Sequence, residues 1–468
     1  MSAALDFLRQ SQDRIVGELS AFARIPSVST DPAYAPHIET AVEFVAKQLR
    51  AAGLEHVEIL RHGGPPSIYA DWLHEEGAPT ILIYGHYDVQ PPDPVSAWLS
   101  PPFEPTLRDG RLYGRGTTDN KGPMLIPIKV AEAFMRTSGR LPVNVKFIIE
   151  GEEEVGSAHL GAALTAERER LAADFVLSAD GARWRADLPA VNVASRGIAV
   201  LEASLKTAAK DLHSGRYGGT IANPLHLMAR LVASLHDAEG RVAVAGFYDG
   251  VREPSPAERA AIAAVPFDEA AYLALTGAGA LVGEQGYTTL ERQWIRPTLD
   301  LNGLWGGYQG AGSKTSIPHE AFAKISCRLV SGQEPERIIA LIRRHLEQHC
   351  PEGGRITVTE GHGAHAYEMP PDHPCLALAE EVLTQIHGKA PIRIRIGATL
   401  PVSEMFKRIL GIDTMLFSFS TSDEDFHGPN EFFRLQSLSD GLAAWARYWE
   451  ILGTQKAELY RPFRRLSV

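Results

Sequence analysis

The sequence predicts an α/β fold, a mostly parallel sheet flanked by helices, interrupted by an inserted α+β sandwich. Three observations predict it. Short apolar runs alternate with helical segments up to about residue 196, alternating half-wet strands follow, and the first pattern returns near residue 372.

Two helices open the chain across residues 5–53, separated by the loop IPSVSTDPAYAPH and closed by Gly53. HVEIL, SIYADWL, PTILIYGH, VNVKFIIE and ADFVLSAD are predicted strands, with MLIPIKVAEAFMR and LGAALTAERERLA as helices between some of them. After Arg196 the run IAVLEASLKTA alternates apolar and polar residues, as a strand with one wet face does. The helix NPLHLMARLVASLH, a Gly/Pro-rich stretch from 239 to 320, the strand AFAKISCRLV, the helix PERIIALIRRHLEQHC and the strand RITVTEGH complete this unit. CLALAEEVLTQIHG, PIRIRI, VSEMFKRIL, DTMLFSFS and DGLAAWARYWEIL then restore the helix and strand alternation. The predicted boundaries are 1–196 and 365–468 for the interrupted domain and 197–364 for the insertion.

The 468 residues carry 46 Lys+Arg against 57 Asp+Glu, a net charge of −11 with no basic run beyond RPFRR. That balance argues against nucleic acid or an anionic membrane as partner. Cys327, Cys350 and Cys375 are too few and scattered for a disulfide framework or a thiolate zinc site. An N-terminal stretch with acids and amphipathic spacing, and the lack of any apolar run near the roughly 20 residues that span a bilayer, predict a cytoplasmic protein.

In a parallel sheet, ligands bind beyond the carboxyl ends of the strands. One predicted strand ends at His86, with Asp88 two residues on; others end at Glu152, Glu153 and Glu154, at Asp180, and ahead of the loop carrying His427. LYGRGTTDNKGP sets Asp119 just before a helix. Each alone has a dull explanation as a solvated loop residue, but a merely solvated rim has no need of the whole set. Imidazole and carboxylate without thiolate suit Zn2+, Mn2+ or Co2+, and a bridging carboxylate lets five ligands hold two ions about 3.5–4 Å apart.

YGHYDVQP, LYGRGTTDNKGP, EGEEEVGS, VLSADG and the late His427 stand in the order and spacing of the dinuclear zinc exopeptidases. That family includes carnosinase-type cytosolic dipeptidases, carboxypeptidase G, aminoacylase and succinyl-diaminopimelate desuccinylase, and this chain resembles the first group most. The resemblance implies two divalent ions per subunit, most readily Zn2+, with His86, Asp180, Glu154 and His427 as terminal ligands and Asp119 as the bridge. It implies that Asp88 orients His86, and that Glu153 is the general base for a water held between the ions. It also implies a homodimer formed through the insertion, a lid whose His213 (in KDLHSGRYGG) serves the neighbouring subunit's oxyanion. Arg328 and Thr315 would bind the substrate's C-terminal carboxylate, with His362, Gly397, Thr399 and more weakly Asn223 as further contacts.

The implied reaction is amide hydrolysis of dipeptides or similar small substrates. One departure bears on it: Ile396 stands where relatives that cleave free dipeptides carry a Glu for the substrate amine. Either Glu404 or Asp423 replaces that carboxylate, or the substrate nitrogen is uncharged, as in N-acyl or N-carbamoyl amino acids. GAGSKTS fails as a phosphate loop because Ser313 stands where Lys is needed, and no G-x-S-x-G elbow is present. A decayed, purely binding relative would be expected to have lost a ligand or the base, and none is lost.

Overall fold

The computed structural model describes residues 2–464; Met1, residues 465–468 and with them the last arginine of RPFRR lie outside the described residues. The chain divides into two compact units. The first holds the residues up to Val193, Met369–Ile394 and Val402 onward; the second holds Ala194–Glu368 and Arg395–Pro401.

In chain order, the elements that position the site are β1 (Glu55–Leu60), β2 (Ser67–Trp72), β3 (Thr80–His86), α1 (Gly122–Ser138), β4 (Asn144–Glu150), β5 (Phe175–Ser178), β6 (Ala190–Ser195), β7 (Gly197–Lys206), α2 (Pro224–Ala233), β8 (Thr298–Gly306), β9 (Glu320–Leu329), α3 (Pro335–His349), β10 (Arg355–Ala364), β11 (Thr414–Leu416) and α4 (Leu435–Leu452).

The first unit is built on a sheet ordered β1-β2-β4-β3-β5-β11-β6. Its centre, β4, β3, β5 and β11, is parallel, and β1, β2 and β6 join antiparallel. Every residue of β4 is buried, and every residue of β3 after Thr80. Strands buried in this way need cover on both faces, which explains the unbroken apolar run 81–84 of β3, while β4 also buries Asn144, Lys146 and Glu150. Helices α1 and α4 pack together, and α4 buries Trp445, Tyr448 and Trp449. The turn after β4 needs Gly151, because a Cβ there would lie 2.1 Å from the Tyr87 ring. The residue after His86 thus packs directly against the turn that carries Glu153 and Glu154.

The second unit is an antiparallel sheet ordered β8-β9-β7-β10. Positions alternate along β7 and β9, one face buried and the other open, as the sequence predicts. Leu201, Leu205 and Ile325 from that face meet Met228 and Leu231 of α2 and Ile338 and Ile342 of α3. Burial of one such aliphatic side chain is worth roughly 1.5–3 kcal/mol, so this shared face is what holds the unit together. Among the described residues no helix is long and apolar enough to cross a membrane.

Candidate metal centre

The parallel sheet of the first unit delivers its ionisable groups to one place. His86 ends β3, Glu153 and Glu154 occupy the turn after β4, and Asp180 follows β5 by two residues. Asp119 lies in the turn that leads into α1, and His427 in the loop between β11 and α4. His86 Nε2 is 3.2 Å from Asp119 Oδ1 and 4.0 Å from Asp180 Oδ1. The other oxygen, Asp119 Oδ2, is 3.1 Å from His427 Nε2, which is itself 3.2 Å from Glu154 Oε2. Two triads that could each hold a metal ion therefore exist, His86 with Asp119 and Asp180, and Asp119 with Glu154 and His427. Asp119 turns one oxygen toward each.

The donor set fits divalent cations on an observation internal to the site. His86 Nε2 is buried with no hydrogen-bond partner, although two carboxylates face it. A cation would satisfy that nitrogen and both carboxylates together. The electrostatics agree. Burial, then repulsion among neighbouring carboxylates, raises the Glu153, Glu154 and Asp180 carboxyls above their ordinary range. Asp119 is held low, its burial outweighed by the flanking imidazoles of His427 and His86. Asp119 and then Glu154 push the His427 imidazole up to about 10. So much crowded negative charge is what a dication would offset.

A set of supporting residues fixes these groups. Asp88 is fully buried; its Oδ1 lies 3.3 Å from His86 Nδ1, and its two oxygens accept the Glu153 and Glu154 N–H groups at 3.3 and 3.1 Å. One carboxylate thus ties the end of β3 to the turn after β4. Glu152 points elsewhere, pairing with His159 Nδ1 at 2.9 Å. That separates it from its two neighbours, a distinction side-chain chemistry alone does not make. Asn120 donates to the Ala179 carbonyl at 3.2 Å and accepts the His86 N–H at 3.4 Å. Gln90 donates to Glu154 Oε2 at 2.9 Å.

Sequence reasoning missed the largest of these supports, the buried pair Arg115 and Glu431, 2.7 Å apart. Glu431 accepts the N–H groups of Gly116, Thr118 and Asp119, while Arg115 donates to the His427 and Gly428 carbonyls. It locks the Asp119 turn to the loop of His427, whose own backbone is left-handed at φ 59°. Leaving either charge of such a buried pair alone costs about 3–5 kcal/mol. The signal available was the GRG of the quoted motif and a glutamate four residues past His427, and neither indicates its partner.

The predicted substrate contacts and His213 lie in the second unit. Arg328, near the end of β9, donates from Nη1 to Thr399 Oγ1 at 2.8 Å. Gly397 is bound through its carbonyl to Arg196 Nε at 2.7 Å. His213 and Thr315 are exposed neighbours: the Ser214 N–H donates to the Thr315 carbonyl at 3.0 Å, and His213 Nδ1 accepts the Gly215 N–H at 3.0 Å. His362 is exposed at an irregularity of β10, and Asn223 caps α2 by accepting the Leu225 N–H at 2.9 Å. Of the two carboxylates proposed to replace the missing glutamate, Glu404 is 3.2 Å from Arg408 and Asp423 is 2.5 Å from Arg434. Both already have cationic partners.

A family model described as Peptidase family M20/M25/M40 matches residues 82–451. The chain belongs to that family. It is 31% identical over 390 residues to the human Beta-Ala-His dipeptidase, covering 82% of this chain and 77% of that one. With the Cys-Gly metallodipeptidase dug1 of Schizosaccharomyces pombe it shares 28% over 458 residues, 95% of this chain and 96% of the other. The M20 family metallo-carboxypeptidase from Sulfolobus solfataricus superposes with a TM-score of 0.82 at 28% identity, covering 94% and 99% of the two chains. This M20 chain is therefore an enzyme, a metallopeptidase, and its mixed α/β architecture is that of its relatives.

Proposed function

We propose that this M20 metallopeptidase hydrolyses the amide bond of dipeptides, or similar small substrates, that carry a free C-terminal carboxylate. The observation that carries the reading is Asp119, whose two oxygens are shared between two triads. His86, Asp119 and Asp180 would hold one divalent ion, and Asp119, Glu154 and His427 the other. Such ions supply Lewis acidity toward water and the scissile carbonyl, and Zn2+ best fits the donors, with Mn2+ and Co2+ as alternatives.

The chain's own groups do the rest. Glu153, fixed through its N–H by Asp88, takes a proton from the attacking water and passes it to the leaving nitrogen. Asp88 keeps His86 in one orientation. In the second unit, Arg328 takes the substrate carboxylate, with Gly397, Thr399 and His362 around it; Thr315 and Asn223 stand at the other end of β9 beside His213 and would reach a substrate only from a second chain. A guanidinium fork suits that task, and amidating the substrate's C-terminus is expected to lower kcat/KM about 100-fold. Equal rates on acid and amide would remove Arg328 from the role.

We further propose that the first unit is the catalytic domain and the second a lid through which two chains pair in the cytoplasm. The free cysteines support a reducing compartment. Pairing is supported by the edge strand β8, which exposes Leu301 and Leu304. His213 would act in trans: with Nδ1 accepting from Gly215, Nε2 carries the proton and can donate to an oxyanion. Mixing inactive His213→Ala with inactive Glu153→Ala chains is then expected to restore part of the activity. No recovery after demonstrated subunit exchange would exclude catalysis in trans.

A second reading, hydrolysis of N-acyl or N-carbamoyl amino acids, is favoured by Ile396 together with the existing partners of Glu404 and Asp423. The deciding experiment is a panel of free dipeptides, β-alanyl dipeptides and N-acyl or N-carbamoyl amino acids with metal-reconstituted enzyme. Cleavage confined to the free dipeptides supports the first reading, and cleavage confined to acylated substrates the second. Failure on every substrate would refute both.

A further inference from the structure

We infer that a cavity lined by Arg196 in the second unit is a subsite for an acidic side chain, so that preferred substrates end in a residue bearing a second carboxylate. The inference rests on the reading of Arg328 as the anchor of the C-terminal carboxylate.

The cavity measures about 270 Å³, and its wall includes Ser195, Arg196, Arg252, Trp294, Tyr367 and Arg395. Its charges do not balance. Arg252 is clamped by both oxygens of Glu258, at 2.6 and 2.5 Å, and Arg395 lies 2.8 Å from Glu368. Arg196 forms no ion pair among the described residues. Three guanidiniums thus meet two carboxylates, and the surplus positive charge is that of Arg196.

Arg196 is also held where it cannot swing into solvent. Its N–H donates to the Ile396 and Ala398 carbonyls at 3.3 and 3.0 Å, and its Nε to the Gly397 carbonyl at 2.7 Å. Arg328 is bound to Thr399, so both guanidiniums are pinned to one short segment, and Arg328 too has no ion pair among the described residues. Burial, and then the charge of Arg328, push Arg196 down to about 10. Arg196 Nη1 is buried without a hydrogen-bond partner, and so is the hydroxyl of Ser195, a residue only 5% exposed.

A pinned guanidinium with no ion pair and a buried, unsatisfied donor, as Arg196 is, is costly unless an anion meets it. A substrate with one carboxylate satisfies Arg328 and leaves Arg196 as it is. A C-terminal aspartate or glutamate meets both, its side-chain carboxylate reaching Arg196 and its methylenes lying against Trp294 and Tyr367.

The test compares kcat/KM of metal-loaded enzyme on matched pairs, Gly-Glu with Gly-Gln and N-acetyl-glutamate with N-acetyl-glutamine. In parallel, calorimetry measures binding of free glutamate and glutamine to the metal-free protein. The acid is expected to be favoured about 10- to 100-fold in both measurements. Arg196→Met should bring the ratio to within about threefold of one; Arg196→Gln, which can still donate to the Gly397 carbonyl, is the second variant if the first does not fold. A wild-type ratio near one overturns the subsite, and a ratio that survives loss of the Arg196 charge does so too. If neither these pairs nor any substrate of the panel above is cleaved, the proposed function fails, and calorimetry alone decides the subsite: tighter glutamate binding supports it and equal affinity overturns it.

Discussion

Glu153→Ala is expected to retain both metal ions and to lose turnover by about 10²- to 10⁴-fold. The expectation follows from where Glu153 stands. It belongs to neither triad, yet its peptide N–H and that of the adjacent Glu154 are held by the same Asp88. Truncating its side chain therefore leaves the turn anchored and both triads whole. What disappears is the one carboxylate in this turn that is engaged neither by a histidine, as Glu152 is by His159, nor in a triad, as Glu154 is with His427. Metal content per chain and kcat, measured on the same preparation, check both halves. Near-normal turnover would refute the assignment of the base, and loss of a metal ion would show that Glu153 is a ligand.

How much of this was legible in the sequence depended on how local each cause was. His86, Glu154 and Asp180 stand at or just beyond the ends of buried strands, so a sheet topology and a strand-end rule suffice to bring them together. The half-wet alternation of β7 and β9 likewise announced a sheet with one open face. The Arg115 and Glu431 pair was not legible, because 316 residues separate its partners and no local pattern records a contact of that range. Residues 395–401 show the same limit. They lie among elements of the first unit in sequence, yet belong to the second unit, where Arg196 binds three consecutive carbonyls of the segment. In the sequence Ile396 stands out as a missing charge, whereas nothing marks Arg196 as a surplus one. A single arginine at the start of a strand has no signature until its partners, or their absence, can be seen.

Asp119→Ala is expected to abolish binding of both ions, where removal of any other ligand should weaken chiefly one. With its side chain gone, His86 keeps only Asp180 and His427 keeps only Glu154. Loss of groups that merely orient a ligand commonly costs 10- to 100-fold in metal affinity, so loss of a direct ligand should exceed about 100-fold at both positions. The fold should survive, because the turn is held through the Asp119 backbone N–H, and those of Gly116 and Thr118, by Glu431. None of those bonds uses the side chain that is removed. His427→Ala provides the contrast: it leaves the His86, Asp119 and Asp180 triad whole, so one ion per chain should remain. Metal content after dialysis distinguishes the two variants, and a melting transition on the metal-free proteins shows whether each is folded. A folded Asp119→Ala chain that still binds one ion at wild-type affinity would sink the bridging assignment, because the oxygen facing that ion would then have been dispensable.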